Sequence, residues 1–109
     1  MGTTTIHNAK GSQFLAMQDG HVAGYLEYHR RGNVASFLHT IVDPASEGQG
    51  IGSTIVKYAL DEARRLGWLV LPYCPFVSAY IAKHPEYLDL VPADRRAEFP
   101  LGQLTHTTA

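Results

Sequence analysis

Three glycines at alternate positions, Gly48, Gly50 and Gly52, form the stretch of the sequence best suited to chemistry. They lie between a segment rich in β-forming residues and a segment with helical periodicity. Glycine lets backbone N–H groups approach a ligand closely, and the first turn of a helix adds unpaired N–H groups and the positive end of its dipole. The pattern predicts a phosphate or pyrophosphate site, with a flexible connection and an ordinary helix cap as the alternative.

Two common phosphate-binding motifs do not fit this loop. A Walker loop ends in Gly-Lys-Ser/Thr, and no lysine occurs between Ser46 and Ser53. A dinucleotide fingerprint has Gly-x-Gly-x-x-Gly spacing near the start of the chain. The spacing here is Gly-x-Gly-x-Gly, and it follows several strand-like segments.

The segments before the glycine loop, which must position it, have the sequence patterns of β-strands. Apolar alternation and turn residues predict strands at residues 3–8, 12–17, 21–29 and 34–42. Asp19-Gly20 between two apolar runs is a strong hairpin signal, and Pro44 ends the last of these strands.

After the loop, helical periodicity begins at Ile51 and ends at a C-cap on Gly67. The following run, residues 68–73, is apolar on both faces, as in a buried central strand. A short helix is predicted at residues 76–83 and a last short strand at residues 87–91. Because strand–helix–strand crossovers are right-handed, the strands before and after the first helix are expected to lie parallel and close together.

Length and composition limit the class of protein. The 109 residues predict one domain, with a core over about residues 5–92 and a peripheral or loose tail over residues 93–109. A net charge of -1 argues against a protein that binds nucleic acid by neutralising phosphates. The single cysteine, Cys74, excludes an internal disulfide and favours a reducing compartment, the cytoplasm. We expect no metal site, secretory leader or membrane span, because the histidines are scattered, the N-terminus is polar and the apolar runs are short.

The loop resembles the acetyl-CoA loop of the GNAT acetyltransferase superfamily, Gln/Arg-x-x-Gly-x-Gly/Ala at a helix start after a strand. Residues 47–52, Glu-Gly-Gln-Gly-Ile-Gly, match it at every position except the first. Glu47 stands where Arg or Gln is usual, which weakens any side-chain role there but not the backbone cradle. The resemblance covers about residues 5–92 and is typical of the small single-domain YjdJ-type branch, through His39-Thr40-x-Val42, Pro72-x-Cys74-Pro75-Phe76-Val77, Tyr80 and His84-Pro85.

The resemblance implies an α/β (α+β) GNAT fold. Its mixed central sheet has antiparallel N-terminal strands and a splayed parallel pair, flanked by two main helices. It also implies an N-acetyltransferase that moves an acetyl group from acetyl-CoA to an amine, without a metal. The acceptor cannot be read from the sequence, and a monomer or weak homodimer is expected. Two alternatives remain open: a CoA-binding regulatory or interaction module without turnover, and a nucleotide-binding fold that uses the same loop.

The resemblance further assigns residues to acetyl-CoA. The pantetheine arm pairs with the backbone of residues 40–42, with the amide of Ile41 or Val42 nearest the thioester. Lys83 meets phosphates or is a solvated helix end. The phosphate loop itself comprises Glu47, Gly48, Gln49, Gly50, Ile51, Gly52 and Ser53.

Three residues are catalytic candidates. Cys74 is a thiol lining the site, and even a nucleophile, or else a small buried apolar residue. The resemblance matches Tyr80 to a tyrosine whose hydroxyl can protonate the leaving thiolate, and the alternative is an aromatic residue of the core. His39 is the candidate general base, because imidazole is the side chain best suited to exchange protons near neutral pH, with Glu27 on the preceding strand as its competitor.

Overall fold

The fold is a mixed five-stranded sheet with two α-helices, in a computed structural model that describes residues 2–102. The strands are β1 (Thr4–Asn8), β2 (Gln13–Gln18), β3 (His21–Arg31), β4 (Val34–Val42) and β5 (Leu69–Pro72). The helices are α1 (Ile51–Leu66) and α2 (Pro75–Lys83), with short 3-10 helices at Pro44–Ser46, Pro85–Leu90 and Ala93–Glu98. The strands follow chain order, β1 to β4 antiparallel and β5 parallel to β4. The predicted mixed sheet and its two main helices are confirmed.

Local turn chemistry fixes the N-terminal meander. Asp19 and Gly20 both have positive φ, 50° and 81°, as required by the mirror-image turn that joins antiparallel strands through two residues. The predicted hairpin is therefore confirmed. The predicted C-cap at Gly67 is also confirmed, with φ 75° and its N–H bonded to the end of α1.

One face of the sheet carries the core. Alternate strand residues such as Phe14, Leu26 and Phe37 are fully buried on this face, and α1 packs over it with its apolar stripe. The residues between them face the other way, and three large apolar side chains on that face remain exposed: Ile6, Val22 and Ile41. No helix of residues 2–102 is long and apolar enough to cross a bilayer.

Two predictions about the C-terminal part were wrong. Residues 87–91 form no strand, because Pro85 starts a 3-10 helix that buries Tyr87 and Leu90, three residues apart. The core also extends past residue 92, since Phe99 and Leu101 are buried with it. These two apolar residues are isolated among charged residues and prolines, so no periodicity marked them. The looseness expected of residues 103–109 concerns residues outside those described.

Candidate functional site

The parallel strands separate where the site lies. β4 pairs with β5 only from Val34 to Phe37, although β4 continues to Val42. A β-bulge lies where the two strands begin to separate. Tyr28 faces Phe37 and Glu27 faces His39, so Leu38 has no opposite residue in β3. The last residues of β4 therefore keep their pairing to β3 and have an open edge on the side of β5.

The hydrogen-bond pattern decides which backbone groups face the open edge. The Asp43 N–H donates to the Ala23 carbonyl over 2.8 Å. In an antiparallel ladder every second residue exchanges hydrogen bonds with the partner strand, so Ile41, two residues before Asp43, also bonds to β3. The Ile41 carbonyl accordingly lies so close to β3 that a Cβ on Gly24 would be 2.8 Å from it. The backbone groups of Thr40 and Val42 point to the open edge. Of the two amides expected near a thioester, that of Val42 faces the open edge and that of Ile41 faces β3.

The glycine loop forms the wall of a cavity of about 310 Å³ beside this open edge. Gly48 and Gly50 have φ of 87° and 73°, a backbone conformation that other L-residues rarely adopt. Apart from the adjoining residues in the chain, no protein atom lies within 4 Å of a Cβ added to either glycine, so the space beyond the backbone is open. The lining residues are Val42, Ser46, Glu47, Gly48, Gly50, Ile51, Gly52, Ser53 and Phe76.

The first turn of α1 completes this wall. Gly50 is the N-cap and supplies no side-chain cap, so the N–H groups of Ile51, Gly52 and Ser53 lie at the cavity without one. The Ile51 side chain is buried in the core, so only its backbone can serve a ligand. With the helix dipole behind them, these groups suit an anion.

Gly52 has a second reason to be glycine. A Cβ there would lie 2.8 Å from Cζ of Phe76, so the glycine lets the Phe76 ring pack against the start of α1. The ring lies between the glycine-loop cavity and a neighbouring one, and it lines both. Gly52 therefore shapes the cavity through Phe76 as well as through its own backbone.

A second cavity, of about 380 Å³, continues from the first along α2. Ser53 and Phe76 line both, and the second adds Ala79, Tyr80, Lys83 and His84. Lys83 is exposed and has no ion-pair partner among the described residues. Its charge is therefore available to an anionic group in this cavity.

Tyr80 belongs to this second cavity. Its ring stacks on His84 with centroids 4.2 Å apart and lies 6.1 Å from the ring of Tyr87. Burial raises the pKa of Tyr80, so the phenol is protonated at neutral pH. Both aromatic neighbours of Tyr80 therefore lie just after it in the chain, at the end of α2 and in the 3-10 helix that follows.

Cys74 lies at the point of separation, but its thiol is buried. Its N–H donates to the Phe37 carbonyl over 2.9 Å, one step beyond the last paired residues of β4 and β5. Its sulfur lies 3.3 Å from Oγ1 of Thr40, and the residue is 4% exposed. Cys74 also lines neither of the two cavities described above. This geometry favours the small buried residue over the nucleophile.

A labelling experiment distinguishes the two roles of Cys74. Iodoacetamide is expected to modify the native protein at least about tenfold more slowly than the protein unfolded in guanidinium, because the thiol reacts only when exposed. CoA is expected to change the native rate little, as measured by intact mass against time. Rapid labelling that CoA blocks would instead place the thiol within the site.

His39 and Glu27 lie directly opposite each other on β4 and β3. Both point to the sheet face away from α1, whereas Thr40 and Val42 alternate to the helix side. His39 is exposed, and its side chain has no hydrogen bond or ion pair with any residue in 2–102. The structure thus places His39 beside the open edge of β4, but on the opposite face from the glycine loop.

Two glutamine side chains, Gln18 and Gln49, are hydrogen-bonded to each other beside the glycine-loop cavity. The Gln49 side chain does not line the cavity, because its carbonyl accepts a hydrogen bond of 2.9 Å from Gln18. Sequence reasoning missed Gln18. The only feature of the sequence that could have indicated Gln18 is its place after Phe14 and Ala16 in the strand alternation. This place puts a polar residue on the face that α1 covers.

Residues 2–102 contain no group of three or more His, Cys, Asp or Glu side chains that could hold a metal ion.

Comparison with known proteins agrees with this architecture. The chain is similar in structure to the ribosomal-protein-S18-alanine N-acetyltransferase of Escherichia coli, with a TM-score of 0.51 and 21% sequence identity. The match covers 64% of this chain and 42% of the E. coli chain, so it spans less than half of that protein. No curated protein is significantly similar in sequence. A sequence model of the GCN5-related N-acetyl-transferase family matches residues 13–90. With most of its length matched and this splayed sheet, the chain belongs to the GCN5-related N-acetyltransferase family.

Proposed function

We propose that the protein transfers an acetyl group from acetyl-CoA to an amine. The observation that carries the proposal is the continuity of two features, the glycine-loop cavity and the open edge of β4, which meet at Val42. A pyrophosphate at the loop leaves the pantetheine arm next to a strand edge with free backbone groups. An amide-containing chain can pair with such an edge as an added strand does.

The residues present fit the nucleotide end of acetyl-CoA as well. Left-handed Gly48 and Gly50 leave open space for phosphate oxygens. The adjoining cavity offers the uncompensated charge of Lys83 and the aromatic surfaces of Phe76 and Tyr80. We assign Tyr80 to this binding surface, since it lines the same cavity as Lys83.

We assign two parts of the transfer to groups of this chain, the polarisation of the thioester carbonyl and the removal of a proton from the amine. The Val42 N–H faces the open edge and donates to the thioester carbonyl oxygen, where negative charge develops. The amine nitrogen attacks the carbonyl carbon, the carbon–sulfur bond breaks, and the sulfur leaves as CoA thiolate. His39 accepts the proton that the amine loses, with the acceptor approaching from the sheet face away from α1. Direct transfer fits better than an acetyl-cysteine, because the Cys74 thiol is buried.

The decisive experiment measures binding and turnover separately. Calorimetry with CoA, and with ATP as the competitor, tests the ligand class. Release of CoA thiol from acetyl-CoA across an amine panel tests turnover. The panel includes a peptide with an N-terminal alanine, because the E. coli protein is named for an alanine acceptor. Tight CoA binding with no turnover on any amine would support the regulatory module, and stronger binding of ATP would support a nucleotide-binding protein.

Glu47 provides a gain-of-affinity prediction. Its carboxylate is exposed, lines the loop cavity and has no ion-pair partner among residues 2–102. We expect Glu47→Gln to tighten CoA binding about two- to fivefold at low salt, because a like charge near the pyrophosphate is removed. The gain should shrink as ionic strength rises. Asp19→Asn, in the exposed β2–β3 turn, is the matched control, and an equal gain there would attribute the effect to net charge.

A further inference from the structure

We propose that Gln18 is a positioning residue for the glycine loop. Its side-chain amide bonds to residues on both sides of the loop's first glycine and thereby holds the backbone in its anion-binding form. The inference rests on the proposed function, because the anion concerned is the pyrophosphate of acetyl-CoA.

The sheet fixes the place of Gln18 before the loop is considered. Gln18 is the last residue of β2, opposite His21, and the tight Asp19-Gly20 turn follows it. Strand alternation puts its side chain on the face of Phe14 and Ala16, the face that α1 covers. A polar group with a fixed backbone therefore lies under the loop that precedes α1.

Both the carbonyl and the NH₂ group of the Gln18 side chain form hydrogen bonds. Its carbonyl accepts a hydrogen bond of 3.3 Å from the hydroxyl of Ser46, which is 3% exposed. Its NH₂ donates to Oε1 of Gln49 over 2.9 Å and to Oγ1 of Thr3 over 3.2 Å. One strand side chain thus joins Thr3, the residue before β1, to the loop residues on either side of Glu47 and Gly48.

This link matters because the loop is otherwise free to change shape. Glycine has more accessible backbone conformations than any other residue, so Gly48 and Gly50 make an ordered loop entropically costly. Tethering Ser46 and Gln49 to a strand restricts the loop before the ligand arrives. A ligand that binds a preorganised site does not have to order it, so its affinity is higher.

The test replaces Gln18 by alanine in the full chain. We expect the Kd for CoA and the KM for acetyl-CoA to rise about 5- to 20-fold, as the loss of one or two hydrogen bonds implies, with kcat nearly unchanged. Amide hydrogen exchange of residues 48–52 in the ligand-free protein should accelerate. Gln13→Ala is the control, since Gln13 starts the same strand but faces the opposite side of the sheet.

Every outcome bears on the inference. Unchanged CoA affinity together with unchanged exchange in Gln18→Ala would overturn it. If the native protein fails to bind CoA, the proposed function is wrong, and the exchange rates still show whether Gln18 orders the loop. If Gln18→Ala does not fold, the exposed partner variant Gln49→Ala replaces it. Gln49→Ala is expected to raise the Kd about two- to fivefold and to loosen the same amides, and no change in either would overturn the inference.

Discussion

Replacing Gly50 by valine is expected to raise the Kd for CoA by about 10- to 100-fold. Gly50 has φ 73°, and a β-branched residue in this region carries about 1–3 kcal/mol of strain. The loop can relieve the strain only by turning its N–H groups away from the cavity, and each 1.4 kcal/mol of lost binding is about tenfold in Kd. Calorimetry on the folded variant measures the effect.

Gly32 supplies the matched control for that experiment. It has φ 61° and equally open surroundings, but it lies in the turn between β3 and β4 and does not line the loop cavity. Gly32→Val should therefore lower the free energy of unfolding by a similar amount while leaving CoA binding unchanged. If Gly50→Val folds and binds CoA like the native protein, the phosphate site lies elsewhere.

Replacing Val42 by proline is expected to lower the rate of acetyl transfer by about 10²–10³-fold, the usual effect of removing one donor to a developing oxyanion. Proline has no N–H, and the Val42 N–H faces the open edge rather than β3, so the sheet loses no ladder bond. The rate is measured as CoA thiol released in the presence of an accepted amine, with circular dichroism to verify folding.

Two neighbouring variants separate chemistry from stability in that experiment. Val42→Ala keeps the N–H and should retain most of the rate. Ile41→Pro removes an N–H that pairs with β3, so it should destabilise the sheet, with a lower urea midpoint. A Val42→Pro protein that transfers acetyl groups at the native rate would show that the amide does not contact the thioester.

The elements of the fold were largely predictable because their signals are local. The Asp19-Gly20 turn, the α1 stripe from Ile51 to the Gly67 cap, and the buried run that became β5 each depend on residues close together in the chain. The strand predicted at residues 87–91 was wrong because the local signal there was ambiguous. A five-residue apolar stretch is compatible with either a strand or a helical turn, and packing against α1 decided for the turn.

The candidate site was predictable only where a motif carries it. The glycine loop was recognised from its spacing, and the structure places all of its residues except Gln49 around one cavity next to Val42. The positions of Cys74, Tyr80 and His39 relative to that cavity depend on the strand register and on the packing of α2. Residue type alone indicated what these side chains can do, but not whether they meet.

The amino-acid sequence by itself determined the order of elements, the family resemblance and the loop in which glycines allow left-handed backbone. Only the tertiary structure decided which amide of β4 is free, that the Cys74 thiol is buried, and that Gln18 ties the loop to the sheet. The physical reason is that the bulge at Leu38 depends on the register between β3 and β4, and that the contacts of Gln18 join residues 28 and 31 apart in the chain. Such pairings depend on register and side-chain packing across strands, which no local pattern encodes.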